Sequence, residues 1–356
     1  MVSKRYLTFG QGASKAEVGL KPVVKVVGVG GAGCNIVDAM VDMNLRHVEA
    51  LAINTDAQNL SGLRCRKMLI GKDVTQGRGA AALPALGEAA VKADIPKVEA
   101  AIKGADVLFV ICGLGGGTGT GAAPVVARLG KKHGALVVAL TVFPFKAEGS
   151  TRGHMAKLGL EKLKDDADAV VVVHNDKLLE DYPDLGFKQA LEVEDQLLLN
   201  PIKHITQLLT REDLPNLRKV LQMRNIAHLG FGEAKLEMGH RGAVLDAVNS
   251  LMPQAEIDAH DRAIAVIHCP PGYKDEELHR YIQELHKFID PKAEIMWGPI
   301  IDPKLDNEVR IMMLVGKARP GPSSPPEAGA GDPPVAGGAK PSESASPEPG
   351  KDPAIG

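Results

Sequence analysis

Aromatic residues are scarce. They form 3% of the 356 residues, and Trp297 is the one tryptophan. A core of ordinary size must then be aliphatic, built on Val, Leu, Ile and Ala. Paired cysteines are missing as well. Cys34, Cys65, Cys112 and Cys269 lie far apart, two in apparent strands and one in a Gly-rich turn, with no C-x-x-C spacing. That argues against a zinc site and fits reduced thiols in a cytoplasm. No apolar run reaches the roughly 20 residues that span a bilayer, and the first residues hold no signal-peptide core. Charge of one sign is lacking too. Lys and Arg number 42 against 44 Asp and Glu, a formal net charge of −2. Such a balance gives no general affinity for nucleic acid or an acidic membrane. His260, His268 and His286 have no metal-ligand spacing and read as structural or solvated. The expectation is a soluble, cytoplasmic chain of one large or two ordinary domains, with no metal-ligand cluster of its own.

Glycine is what the chain does have, concentrated in one stretch. Residues 113–121 read GLGGGTGTG, between an apolar run at 107–112 and a helical pattern from about Ala122. Gly113, Gly115, Gly116, Gly117, Gly119 and Gly121 let the main chain come very close to a ligand. At a strand-to-helix turn the successive N–H groups point into one concavity, backed by the positive end of the helix. Thr118 and Thr120 add hydroxyl donors. A polyphosphate is the natural guest. This is no Walker A loop, because no Lys follows the glycines. Nor does it read as a linker, which would not be clamped between a buried strand and an apolar helix.

A second glycine cluster follows the first strand, 23–29. Gly30, Gly31, Ala32, Gly33, Cys34 and Asn35 lead into an amphipathic helix at 36–43. Gly28-x-Gly30-x-x-Gly33 fits the dinucleotide fingerprint, so an NAD-dependent oxidoreductase is a rival reading. That rival wants an acidic residue ending the second strand. The strand at 48–53 ends instead in Asn54-Thr55-Asp56-Ala57-Gln58. Residues 70–80, with Gly79 and Ala80 at their end, read as a polar loop. Helical patterns follow through Ala89 and at 98–102. A helix ends near His133, and a strand at 136–143 leads to Pro144. A helix at 154–164 and a strand at 169–174 come next. Asn175 sits at the carboxyl end of that strand, where it can face a ligand crevice and read a purine edge. It can equally cap a helix starting at Lys177. Residues 187–209 read as one long helix, with Pro201 inside it at a cost. Beyond it, helices at 243–251 and 275–288 alternate with strands at 263–268, 293–297 and 309–315, a small mixed α/β layer. Trp297 would end a strand and pack.

Taken together, several strings resemble the tubulin/FtsZ superfamily in its FtsZ form. They are GGGTGTG continued by Ala122-Ala-Pro-Val-Val-Ala127, then Asn54–Gln58, the 70–80 loop, Pro144-Phe-Lys-Ala-Glu-Gly149 with Arg152, Asn175-Asp-Lys-Leu-Leu179, and Ala227–Glu233 and Ile301–Arg310 in the second half. The resemblance covers roughly residues 21–317. It implies an α/β fold: a doubly wound parallel-sheet GTPase domain, a long central helix, a smaller mixed α/β C-terminal domain and a disordered Pro/Gly-rich tail. The implied segments are an arm at 1–20, the GTP-binding domain at 21–186, the helix at 187–210, a loop and link at 211–223, the second domain at 224–317 and the tail from 318. The implied ligands are GTP or GDP, with Mg²⁺. Gly30, Gly31, Ala32 and Asn35 would line the site, with Asn54, Asp56, Gly79, Ala80, the 113–121 glycines and threonines, and Pro144. Glu148 would contact the ribose, and Arg152 would lie near the phosphates. Leu191 stands where FtsZ proteins usually place an aromatic against the base. Asp195 stands where the guanine N1–H and 2-amino group are read, and an acceptor-only carboxylate suits two donors that adenine lacks.

Residues 210–221 resemble the loop that FtsZ proteins send into the next subunit's nucleotide site, of the form N-x-D-F-A-D-V-R. Aligned on Leu217-Arg218-Lys219-Val220, the first family Asp is Asp213, the second is Asn216 and the family Asn is Arg211. Asn216 can orient water but cannot take its proton. Pro215 alters the local geometry. Two readings stay open. Asp213, helped by Glu212, positions the water in a slow, assembly-linked GTPase of head-to-tail filaments, serving division or cell shape. Alternatively the chain is a GTP-binding paralogue with little hydrolysis, a structural or regulatory partner that co-assembles with another FtsZ. From Ala318 onward, ten prolines among Gly, Ser and charge leave too little apolar surface for order. The end, 351–356, lacks the bulky apolar and basic residues by which FtsZ tails recruit membrane adaptors, so that route to a membrane is not expected.

Overall fold

The computed structural model describes residues 6–9, 21–181, 186–223, 226–251 and 257–318. The strands are β1 (Tyr6–Thr8), β2 (Val24–Val29), β3 (Val48–Asn54), β4 (Arg66–Leu69), β5 (Val107–Gly113), β6 (Leu136–Phe143), β7 (Ala169–His174), β8 (Ile226–Lys235), β9 (Arg262–Cys269), β10 (Glu294–Ile301) and β11 (Glu308–Gly316). They form one sheet in the order β1-β10-β9-β11-β8-β7-β6-β5-β2-β3-β4. From β4 to β8 every pairing is parallel, and β11 is antiparallel to both its neighbours. The two halves meet where β7 pairs β8 through two residue pairs, Val170 with Ile226 and Val171 with Ala227.

The helices in the first half are α1 (Gly30–Ala39), α2 (Ala57–Ser61), α3 (Lys72–Thr75), α4 (Pro84–Ala93), α5 (Ile95–Ile102), α6 (Thr118–Lys132), α7 (Ser150–Asp166), α8 (Asn175–Asp181) and α9 (Phe187–Leu208). Then come α10 (Leu214–Leu221), α11 (Gly239–Asn249) and α12 (Asp275–Leu285). A parallel sheet covered on both faces needs apolar residues at every strand position. In β5, Val107, Phe109 and Ile111 belong to one core layer, with α1 and α9, while Leu108, Val110 and Cys112 belong to the other, with α5, α6 and α7. Leu198, Leu199, Ile202 and Ile205 of α9 share a core with Val24 and Val26 of β2 and with Ile264, Met296 and Met312 of the second half. The long helix is thus a wall common to both halves.

The fold departs from the sequence reading in particular places. Both glycine clusters lie further into helices than the patterning suggests. Helix α1 begins at Gly30 rather than Ile36, so Cys34 is helical and not in a turn, and α6 begins at Thr118 rather than near Ala122. Apolar periodicity cannot mark a first turn made of glycine. Asn175 is itself the first residue of α8, which starts before Lys177. The arm is not wholly loose: β1 pairs β10 in parallel, and the Phe9 N–H donates to the Trp297 carbonyl at 2.9 Å. Trp297 lies inside β10, 2% exposed, and does not end it. Strand β4, Arg-Lys-Met-Leu, is not among the expected strands, and it carries the charges of an edge strand. Residues 70–80 include α3, and Ile70 is fully buried, so this segment is anchored in the core. Helix α9 is a single helix that includes Pro201. Residues 319–356 and most of the arm lie outside the described residues.

Candidate functional site

Strands β3 and β5 flank β2 on opposite sides, so the connections leaving β2 and β5 diverge there. In open α/β sheets ligands bind in the crevice beyond the carboxyl ends of such strands. Both glycine clusters open at that point. A Cβ on Gly30 would lie 2.7 Å from the Gly119 nitrogen, and a Cβ on Gly119 would lie 2.4 Å from the Gly113 carbonyl oxygen. Only glycine permits the N-termini of α1 and α6 to approach this closely. Neither helix has a side-chain cap. Each helix start therefore keeps backbone N–H groups unspent by a cap, with the positive end of a helix dipole behind them. A Cβ on Gly31 or Gly116 would meet nothing within 4 Å. Two glycines thus close the cradle and two open onto its space, an arrangement that fits a polyphosphate.

The threonines act within the protein. Thr118 Oγ1 shares a 2.6 Å hydrogen bond with Thr55 Oγ1, and Thr120 Oγ1 accepts from the Gly115 N–H at 2.8 Å. Both are buried, so they fix the turn from below. Asn54 and Asp56 are also occupied. Asn54 Oδ1 accepts from the Thr55 N–H at 2.8 Å, and its Nδ2 donates to Asn59 Oδ1 at 2.8 Å. Asp56 caps α2, accepting from the Gln58 and Asn59 N–H groups. Gly79 donates its N–H to the Thr55 carbonyl at 3.1 Å, which ties the 70–80 segment and the buried Ala80 to the end of β3. Asn35 and Ala32 lie exposed on the open side of α1.

Beside the cradle lies a cavity of about 470 Å³. Its walls include Ala32, Gly113, Pro144, Glu148, Arg152, Asn175, Leu191 and Glu194. Glu148 accepts from the Phe145 N–H at 2.9 Å through Oε1 and pairs with Arg152 Nη1 at 2.7 Å through Oε2. Asn175 is 5% exposed; its side chain hydrogen-bonds Glu194, and its Oδ1 has no partner. Leu191 is 36% exposed, leaving an apolar patch on the wall. Asp195 stands half-buried one residue from Glu194 and is not part of the wall. Burial, then the neighbouring Glu192 charge, pushes its carboxyl up to about 6. Sequence reasoning passed over Glu194. The available signal was its i+3 spacing from Leu191, which puts both on one helix face.

Asp213, Glu212 and Asn216 do not join this group within one chain. Helix α9, 22 residues long, extends about 33 Å, and they follow its far end. Lys21, just before β2, donates from Nζ to the Leu209 carbonyl at 3.0 Å, and Arg211 pairs with Asp106 at 3.6 Å. Asp106 precedes β5, whereas Gly113 closes it. The loop therefore lies at the amino ends of the parallel strands, opposite the glycines at their carboxyl ends. Asp213 is 4% exposed, and its Oδ2 accepts from the Thr210 N–H at 2.9 Å and hydroxyl at 2.7 Å. Glu212 and Asn216 are exposed.

Residues 23–183 match the family described as "Tubulin/FtsZ family, GTPase domain", and residues 225–318 match "FtsZ family, C-terminal domain". The chain is 40% identical over 302 residues to "Cell division protein FtsZ 1" of Archaeoglobus fulgidus, covering 83% of this chain and 82% of that one. The protein of the same description from Thermococcus kodakarensis is 41% identical over 298 residues, 82% of this chain and 80% of that one. Among solved structures, an empty FtsZ dimer of M. jannaschii matches with a TM-score of 0.77 at 36% identity, over 86% of this chain and 95% of that one. A GTPγS-bound protofilament of CetZ2 from Haloferax volcanii matches in fold, with a TM-score of 0.70 at 23% identity, over 83% and 93% of the two chains.

Proposed function

The chain belongs to the FtsZ group of the tubulin/FtsZ family, and on that premise we propose that it is a GTP-binding cytoskeletal protein whose copies stack head to tail and hydrolyse GTP at the joint between them. One observation carries the reading: the glycine cradle lies at the carboxyl ends of the parallel strands and the Glu212–Asn216 loop at their amino ends. A copy stacked on another brings the loop of one against the cradle of the next. Phosphoryl transfer needs mostly positioning and charge stabilisation, so a site divided between two copies is chemically sufficient. The two helix N-termini hold the phosphates. Arg152 adds positive charge beside them, and the cavity beyond takes ribose and base. Mg²⁺ would sit on phosphate oxygens and water, since among the described residues no three His, Cys, Asp or Glu side chains gather for a metal. The cell-division names of the relatives support a role in division or cell shape.

Within the loop, Asp213 keeps the turn closed through Thr210, and the exposed Glu212 is the acid available to an incoming nucleotide. Asn216, also exposed, orients water without taking its proton. That combination supports slow turnover. It also favours a second reading, in which nucleotide supports assembly with little hydrolysis. The experiment is GTP turnover followed against protein concentration alongside light scattering. Turnover per chain that rises steeply with concentration supports the divided site. Turnover independent of concentration refutes it, and filaments without turnover favour the second reading.

A further inference from the structure

A second hollow, of about 410 Å³, opens away from the glycines. Val24 and Val48, the first residues of β2 and β3, lie in its wall with Thr206 and Gln207 of α9. It therefore stands at the amino ends of the strands. Its cations are Lys21, Arg46, His47 when protonated, and Lys203, and among the described residues its wall holds no acid. Lys21 is already spent. Its Nζ donates to the Gln207 and Leu209 carbonyls, at 3.0 Å each. Those carbonyls end α9 and would repel an anion, so Lys21 screens the negative end of the helix. The other three side chains are unspent: among the described residues none of them has a hydrogen bond or ion pair. Lys203 is half-buried, and its charge reaches both His204 and His268, where it opposes protonation. A cation partly out of water with no acid beside it is costly. The backbone adds a sign of the same kind. Asn44 and His47, either side of Arg46, have φ of 44° and 67°, a left-handed conformation that residues with a Cβ adopt only at a cost.

We propose that this hollow is a binding site for a small phosphorylated molecule, Arg46, His47 and Lys203 taking the phosphate while Met43 and Leu45 take the organic part. The chemistry of the wall selects the ligand. A guanidinium fork matches two oxygens of a phosphate, an ammonium adds a point charge, and an imidazole adds an N–H donor. Met43 and Leu45 are half-buried in the same wall and give an apolar group somewhere to rest. The site is separate from the cradle and does not depend on what the cradle binds. It lies beside the Glu212–Asn216 loop, since Lys21 holds the Leu209 carbonyl and feels the Asp213 charge.

The test is calorimetric titration of the full-length chain, carrying one equivalent of GDP, with phenyl phosphate and with inorganic phosphate at low ionic strength, where screening is weak. Wild type is expected to bind one phenyl phosphate, more tightly than inorganic phosphate. Arg46→Ala and Lys203→Ala should each weaken phenyl phosphate by about tenfold or more, the worth of a hydrogen bond to a charged group. Arg46 is exposed, so its removal should leave the melting temperature in place and keep the test open if Lys203→Ala folds poorly. Gly116→Ala, which alters the cradle alone, should leave phenyl phosphate binding as it is. No binding of phenyl phosphate overturns the proposal, as does binding that survives both Arg46→Ala and Lys203→Ala. Equal affinity for the two phosphates overturns the organic ligand. Binding lost in Gly116→Ala and kept in Arg46→Ala would place the phosphate in the cradle and overturn the site. A chain that takes up no GDP would overturn the GTP reading, which is a different result; loss in Arg46→Ala but not in Gly116→Ala would still place phenyl phosphate in the hollow.

Discussion

Asn175 and Glu194 share a hydrogen bond between the start of α8 and the face of α9, and Asn175 keeps its carbonyl oxygen bare in the same cavity. An acceptor pair left waiting in a protein interior is stable only at a cost, and that cost has measurable consequences.

The first concerns stability against pH. Burial, then the Asp195 and Glu148 charges, pushes the Glu194 carboxyl up from 4.5 to about 7. A raised acid holds its proton in the folded state after the unfolded chain has released it, so stability falls as pH rises from about 4.5 to 7. Glu194→Gln should make the nucleotide-free chain more stable at pH 8 by about 1–3 kcal/mol, with little change at pH 4. Denaturant melts at the two pH values read this directly.

A second titrating contact joins α9 to the second half of the sheet. The His204 and His268 rings lie 4.3 Å apart, and His204 Nδ1 and His268 Nε2 are buried without partners. Burial, then His268 and Lys203, pushes His204 down to about 3. Burial also lowers His268, against the pull of Asp302. A lowered histidine is neutral when folded, so its contribution is complete above about 6.5 and is lost as pH falls toward 3. Wild type should lose about 3 kcal/mol from this site between pH 6.5 and 4. His204→Gln should show a shallower acid limb in urea melts.

Glycines of equal appearance in the sequence should respond differently to one methyl group. Gly119→Ala sets a Cβ 2.4 Å from a backbone carbonyl and should cost about 1–3 kcal/mol or prevent folding. Gly116→Ala meets nothing in the protein. It should keep its melting temperature while losing nucleotide affinity, since the methyl intrudes on ligand space. Thermal melts with and without GDP separate the two.

Turnover should respond to the loop at the amino ends of the strands. Asn216→Asp supplies an exposed acid and should raise GTP turnover by about tenfold or more, while Glu212→Gln should lower it. Asp213→Asn should act mainly on stability, by about 1 kcal/mol, as loss of the bond to Thr210. Turnover at fixed high concentration and urea melts distinguish the three.

Much of this was written in the sequence. Strands β6 and β7 are predominantly apolar runs, and their limits could be read to the residue. The glycine clusters announced the cradle. The starts of α1 and α6 were hidden because glycine carries no periodicity, and β4 because an exposed edge strand is charged. Within the site, burial and hydrogen-bond partners are not written in residue type. The sequence points to Asp195 as the acid that faces the base and passes over Glu194; the turn of the helix puts Glu194 on the cavity wall, with Asp195 half-buried beside it. Asp213 reads in the sequence as an acid that positions water; its carboxylate is buried and accepts from Thr210, a partner that spacing alone does not reveal.

Two rungs, Val170 with Ile226 and Val171 with Ala227, carry the ladder from the six-strand side of the sheet to the five-strand side. The β5–β6 ladder has seven. A ladder yields where it is thinnest. Load passed along a column of stacked copies should then be absorbed as flexure at that seam, sparing the strands that bear the glycine turns. Amide exchange should be faster at Ile226 and Ala227 than at Val110, and equal rates would mean that the seam is as stiff as the rest.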